Sequence, residues 1–197
     1  MSGLTWEDVS GGVGLRVTVP VTMGPDEAAR ELAPRLSALA GVRATASSGE
    51  AGARPGVPVV TIDGYSGSGK STLAAALTPL LPGWQVLHLD DWYPGWDCLA
   101  EGAHIARRIA ADLRGGRASS YEAWDWEAGI TGATIRVPLA PTIIEGCGAI
   151  EAEADLVIWI ADPGEDERRS RALARDGQTY APHWQRWADQ DLGRSLP

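Results

Sequence analysis

Gly64, Gly69, Lys70 and Ser71 satisfy the spacing G-x-x-x-x-G-K-[ST], within Gly64-Tyr-Ser-Gly-Ser-Gly-Lys-Ser-Thr72. The chemistry that this spacing serves is the grip of a polyphosphate. Gly64, Gly67 and Gly69 let the backbone curl inward, so that N–H groups of Ser66, Gly67, Ser68, Gly69, Lys70, Ser71 and Thr72 point at phosphate oxygens. Lys70 would reach the β- and γ-phosphates, and the Ser71 hydroxyl would bind Mg²⁺. Lys70 is also the only lysine among 17 basic residues; every other one is an arginine. The two cations are not interchangeable in close phosphate geometry, so the place of the single ammonium is informative.

Carboxylates come next. Asp90 and Asp91 follow the apolar stretch Trp84–Leu89, and Glu145 ends Thr142-Ile-Ile. In an open parallel sheet, strand-end acids face the ligand crevice. There Asp90 can accept the proton of an attacking hydroxyl or hold Mg²⁺. Glu145, costly to ionise beside an apolar strand, would gain Mg²⁺ as its partner. Loop capping by the aspartates, and a plain strand-end acid at Glu145, are the simpler readings. Arg168, Arg171 and Arg175 recur at i, i+3 and i+7, which places them on one helical face. Opposite a triphosphate that face would stabilise the charge being transferred. Otherwise it is a solvated face paired with Glu165, Asp166 and Glu167.

Two further stretches, both expected to be loops, mix aromatics and acids. One holds Asp91, Trp92, Tyr93 and Trp96; the other holds Tyr121, Trp124, Asp125 and Trp126. Rim aromatics can stack on a planar or sugar-like acceptor while the acids bind its hydroxyls or amines. Trp84, Trp159, Trp184 and Trp187 fit helix–sheet core contacts at least as well. His88, His104, His183, Cys98 and Cys147 stand isolated in the sequence and receive no chemical role.

The elements that must position these residues follow from periodicity. Val59–Ile62 is an apolar β-branched run and Leu73–Leu77 a helical one, so the glycine-rich stretch is the loop between a strand and a helix. From Val57 onward strand and helix alternate, which predicts an α/β fold with a parallel β-sheet flanked by helices. Ahead of this lie an alternating strand at Leu15–Val21 and a helix from Gly24 with Gly41 as its stop. A small, polar Gly/Pro-rich linker follows at residues 43–56. The expected division is therefore an extension at 1–56 and a phosphate-loop domain at 57–197. Packing against the core, or a homodimer contact, are the two ordinary roles for the extension.

Composition narrows the class. A net charge of −9 offers no basic surplus to displace counterions, so nucleic acid is not an expected partner. No apolar run approaches the ~20 residues of a membrane helix, and no signal peptide opens the chain. Two cysteines without metal-ligand spacing suit a reducing cytoplasm.

Together these pieces resemble the uridine kinase-like group of P-loop kinases, which includes nicotinamide riboside and pantothenate kinases. The resemblance covers about residues 57–180 and rests on the loop, on Asp90-Asp-Trp-Tyr93, on Glu145-Gly146 and on Arg168-Arg-Ser-Arg171-Ala-Leu-Ala-Arg175-Asp176. It implies a three-layer P-loop NTPase fold and transfer of a phosphoryl group from Mg-ATP to an alcohol, with Asp90 as base. Arg171 and Arg175 would be catalytic lid residues beside Lys70, Arg168 would contact the nucleotide, and Tyr121 and Trp124-Asp125-Trp126 loosely match the acceptor site. The acidic acceptor stretches point to an uncharged or cationic acceptor rather than a phosphorylated one. The rival expectation is a nucleotide-dependent switch with a protein partner.

Overall fold

A computed structural model describes residues 3–8, 15–45 and 55–194. Its elements in chain order are β1 (Thr5–Asp8), β2 (Leu15–Val19), α1 (Pro25–Thr45), β3 (Val59–Asp63), α2 (Lys70–Leu77), β4 (Gln85–His88) and α3 (Leu99–Arg114). β5 (Ser119–Asp125), β6 (Ile130–Val137), β7 (Thr142–Glu145), β8 (Leu156–Ile160), α4 (Glu165–Tyr180) and α5 (Trp184–Leu192) follow. The main sheet is ordered β1-β2-β8-β3-β7-β4, with only β1 antiparallel to its neighbour.

Side chains alternate across each strand, and the alternation divides the core in two. Val60 and Ile62 of β3, with Leu156 and Ile158 of β8, face α1 and α2 and pack on Leu32, Leu36, Leu73 and Leu77. Val59, Ile144 and Val157 face the other way, onto Ile109 and Leu113 of α3 and onto Trp184 and Trp187 of α5. The result is the expected three-layer α/β arrangement. Such two-sided burial is what a parallel sheet requires.

The strand and helix read as an extension join this same sheet. β2 runs parallel to β8, from Leu15 opposite Leu156 to Val19 opposite Ile160, and α1 packs on α2. α1 continues past the expected stop at Gly41 to Thr45; a glycine costs a helix about 1 kcal/mol, too little to end it unaided. Residues 46–54 of the expected linker lie outside the described residues.

The second aromatic–acid stretch differs from expectation. It is the strand β5, paired antiparallel with β6 in a separate two-stranded ribbon. Its turn uses Gly129 at φ 65°, and the β-branched run Ile130-Thr-Gly-Ala-Thr-Ile-Arg-Val137 supplies the partner strand. Among the described residues no helix is long and apolar enough to cross a membrane.

Candidate phosphoryl-transfer site

β3 ends in the buried Asp63, and the chain then turns through Gly64–Gly69 into α2. Gly67 (φ 80°) shows why a side chain fails here, since a Cβ would lie 2.2 Å from the Arg168 carbonyl oxygen. Gly69 enters the helix at φ 108° with no side-chain cap. The first helical bond runs from Leu73 N to Gly69 O, so the amides of Lys70, Ser71 and Thr72 stand ahead of it as open donors. The buried Ser68 hydroxyl likewise has no partner among the described residues. A cavity of about 870 Å³ opens over this loop and reaches Asp90, Glu145 and the face of α4.

Lys70 is buried, and its Nζ donates to the carbonyls of Gly64 (2.9 Å) and Tyr65 (3.1 Å). Cys147 Sγ lies 3.3 Å from the same atom. Burial alone would lower the Lys70 pKa, but Cys147 and the carboxylates of Asp191, Asp63 and Glu145 outweigh it and hold the value up. Burial pushes the Cys147 thiol itself up to about 12.

Two carboxylates line the cavity and titrate in opposite directions. Glu145 is 3% exposed. Burial would raise its pKa, yet the hydrogen bond from His88, the charge of Lys70 and the Ser71 hydroxyl draw it below the ordinary value. Asp90 faces the cavity, where solvent reaches it, but protein surrounds it. Desolvation and the neighbouring Glu145 raise its pKa, against Lys70 and Arg175. Environments that push two acids apart suit them to different work.

The arginines of α4 separate. Arg171 and Arg175 line the cavity, paired with Glu167 (2.7 Å) and with Asp176 (2.8 Å). Arg168 does not line it. It is 2% exposed, donates to Asp162 Oδ1 at 2.8 Å and lies 4.8 Å above the Tyr65 ring. It supports the loop from behind.

The expected acceptor residues also divide. Tyr93 and Trp96 line the cavity, with Trp126, Tyr180 and Trp187 completing an aromatic wall. Trp187, read as a core residue, thus serves both. Trp92 is 1% exposed and bonds the Gly102 carbonyl, and Tyr121 packs on it with ring centroids 4.7 Å apart. Neither lines the cavity, nor do Asp91, Trp124 and Asp125. Asp91 accepts a long bond from the Tyr121 hydroxyl (3.4 Å), and Asp125 caps the Glu127 and Ala128 amides. The ribbon still reaches the site, because Trp126 Nε1 donates to the Asp90 carbonyl at 2.7 Å.

His88, Cys147, Asp191 and Arg194 carry no local signal of a role in the sequence. His88 became findable only through register, since it pairs with Glu145 across β4 and β7. The others approach the loop from beyond β7 and from the C-terminal end of the described chain, and no local spacing announces that.

No family model matches the chain, and no curated protein sequence matches it. Among solved structures it is similar to a possible uridine kinase from Bacillus stearothermophilus, at 21% identity over 82% of this chain and 92% of the other, with a TM-score of 0.47. A putative fructose transport system kinase from Silicibacter sp. is similar at 21% identity, over 82% and 96% of the two chains, with a TM-score of 0.47. A D-glycerate 3-kinase from Cryptococcus neoformans is similar at 14% identity, over 83% and 64%, with a TM-score of 0.37.

Proposed function

We propose that this protein is an ATP-dependent phosphotransferase that moves the γ-phosphate of Mg-ATP to an alcohol group of a small uncharged or cationic acceptor. The observation that carries the reading is the single cavity that joins the open amides after Gly69 to Asp90 and Glu145. The raised pKa of Asp90 suits it to take the acceptor's hydroxyl proton, while the lowered one of Glu145 keeps that group anionic. Lys70, Arg171 and Arg175 supply positive charge around the phosphates. Tyr93, Trp96 and Trp126 give the acceptor an apolar wall.

The donor set fits Mg²⁺. Ser71 and Glu145 both line the cavity and offer a hydroxyl and a carboxylate oxygen. Among the described residues no cluster of three or more acids, histidines or cysteines forms a cage. Mg²⁺ takes one or two protein oxygens and completes its shell with phosphates and water. When bound, it would neutralise developing phosphate charge.

The test is ATP consumption against a panel of nucleosides, vitamins and amino-alcohols. An acceptor that raises consumption by about tenfold or more supports the reading. Purified protein that takes up Mg-ATP yet responds to no acceptor, while a protein partner accelerates hydrolysis, would replace it with a switch.

A further inference from the structure

Ser66 is held at every polar atom by the two C-terminal helices. Its amide donates to Asp191 Oδ2 at 2.7 Å, its hydroxyl meets the Tyr180 hydroxyl at 2.9 Å, and its carbonyl lies 3.5 Å from Arg168 Nη1. Within the loop itself, the backbone bond between described residues is Ser68 N to Tyr65 O, at 3.0 Å. A loop with so little internal bonding takes its shape from what ties it to its surroundings.

Asp191 gives Ser66 a bond to a buried carboxylate. It is fully buried, as is Asp63 at the other end of the rising limb. Asp63 accepts the Gly64 amide (2.6 Å) through one oxygen and the Gly148 and Ile150 amides (3.0 and 2.8 Å) through the other. Arg194 bridges the two acids. Its Nη1 donates to Asp63 Oδ2 (2.8 Å), its Nη2 to Asp63 Oδ1 (3.2 Å), and its Nε to Asp191 Oδ1 (2.9 Å). Two carboxylates against one guanidinium leave a surplus negative charge, and Lys70 lies on its far side across the Cys147 sulfur. Buried charges persist only when each is paired and hydrogen-bonded. Here both carboxylates are, through Arg194, and two of their bonds fall on loop amides.

We propose that Asp191, tied to Asp63 through Arg194, is a positioning residue for the phosphate loop. By taking the Ser66 amide it fixes the rising limb, so that the amides that follow turn toward the cavity. The end of the described chain is thus a working part of the nucleotide site. As it concerns nucleotide affinity, the proposal rests on the function proposed above; as it concerns loop order, it does not.

The test therefore has two readouts on the full chain, amide hydrogen exchange without nucleotide and calorimetric Mg-ATP binding. Asp191→Ala should speed exchange over residues 64–69 by about tenfold or more, with β8 unchanged. It should weaken Mg-ATP by a similar factor. Asp191→Asn keeps an acceptor for the Ser66 amide but sets its NH₂ against Arg194, and about a threefold effect on both readouts is expected. It decides the matter if the alanine variant does not fold. Leu36→Ala, on the far side of the sheet, should lower the melting temperature while leaving loop exchange unchanged. If folded Asp191 variants exchange at 64–69 like the parent, the proposal is overturned. If the parent fails to bind Mg-ATP, the functional reading falls alone, and exchange still judges the latch.

Discussion

His88 Nδ1 lies 2.6 Å from Glu145 Oε1, joining the ends of two neighbouring parallel strands. The His88 pKa is raised, chiefly by this hydrogen bond, and that of Glu145 is lowered against its burial. A raised histidine stabilises the fold fully below its unfolded value of 6.5 and loses that contribution as pH climbs through the folded one. A lowered glutamate contributes above its unfolded value of 4.5 and loses it as pH falls through the folded one. Both act together between those two values. The His88 side chain is 46% exposed, so screening limits the pair to about 0.5–1 kcal/mol. His88→Gln should therefore destabilise at about pH 5.5 and much less at about pH 9, read from urea midpoints. An equal loss at both values would mean the pair carries no charge.

Asp90→Asn should lower transfer to an acceptor by about 10²–10⁴-fold, the usual contribution of a positioned base. Mg-ATP binding measured by calorimetry should stay within about threefold. The raised pKa of Asp90 adds a pH signature. The base must be ionised, so kcat/KM should fall with acid on a limb lying above the ordinary value of 3.8. Arg175 lowers the Asp90 pKa, so Arg175→Gln should move that limb to higher pH.

The sequence carried the loop and its strand–helix setting because those signals are local: glycines at fixed offsets between two apolar runs. Asp90 and Glu145 were legible for a related reason, as strand ends in a parallel sheet converge on one rim. Trp92 and Tyr121 misled because composition cannot tell a buried aromatic from one facing a cavity. Trp92 and Tyr93 are both buried against Gly102 of α3, and only packing decides that Tyr93 also borders the cavity while Trp92 does not. The β5–β6 ribbon left a faint signal in Ile130–Val137, masked by the exposure of most of its residues. Asp63 and Arg194 stand 131 positions apart, beyond the reach of any periodicity.

The arginines of α4 should part company under mutation. Arg171 and Arg175, both exposed, pair with the exposed Glu167 and the half-buried Asp176, and such surface pairs add ~1 kcal/mol or less to stability. Arg171→Gln and Arg175→Gln should each lower kcat by about tenfold or more while the melting temperature barely moves. Arg168→Gln should instead lower the melting temperature and, through Ser66 and Tyr65, weaken Mg-ATP binding more than it lowers kcat. It strips a buried guanidinium from the partly exposed Asp162 and from the Tyr65 ring, at a cost of about 1.5–3 kcal/mol, that of a hydrogen bond to a charged group. Thermal melts beside steady-state kinetics separate the two behaviours.

Gly67→Ala tests the loop most directly. At φ 80° an alanine is strained by about 1–2 kcal/mol, and its Cβ would also stand 2.2 Å from the Arg168 carbonyl oxygen. That oxygen belongs to helix backbone, so relief requires α4 or the loop to move. Gly69→Ala, at φ 108°, meets nothing within 4 Å and carries the conformational strain alone. Mg-ATP affinity should therefore fall in both variants, and further in Gly67→Ala by about tenfold, as one more contact of ~1.4 kcal/mol would produce. Equal affinities would show that α4 yields to the loop without loss, and that the wall behind Gly67 does not shape the phosphate site.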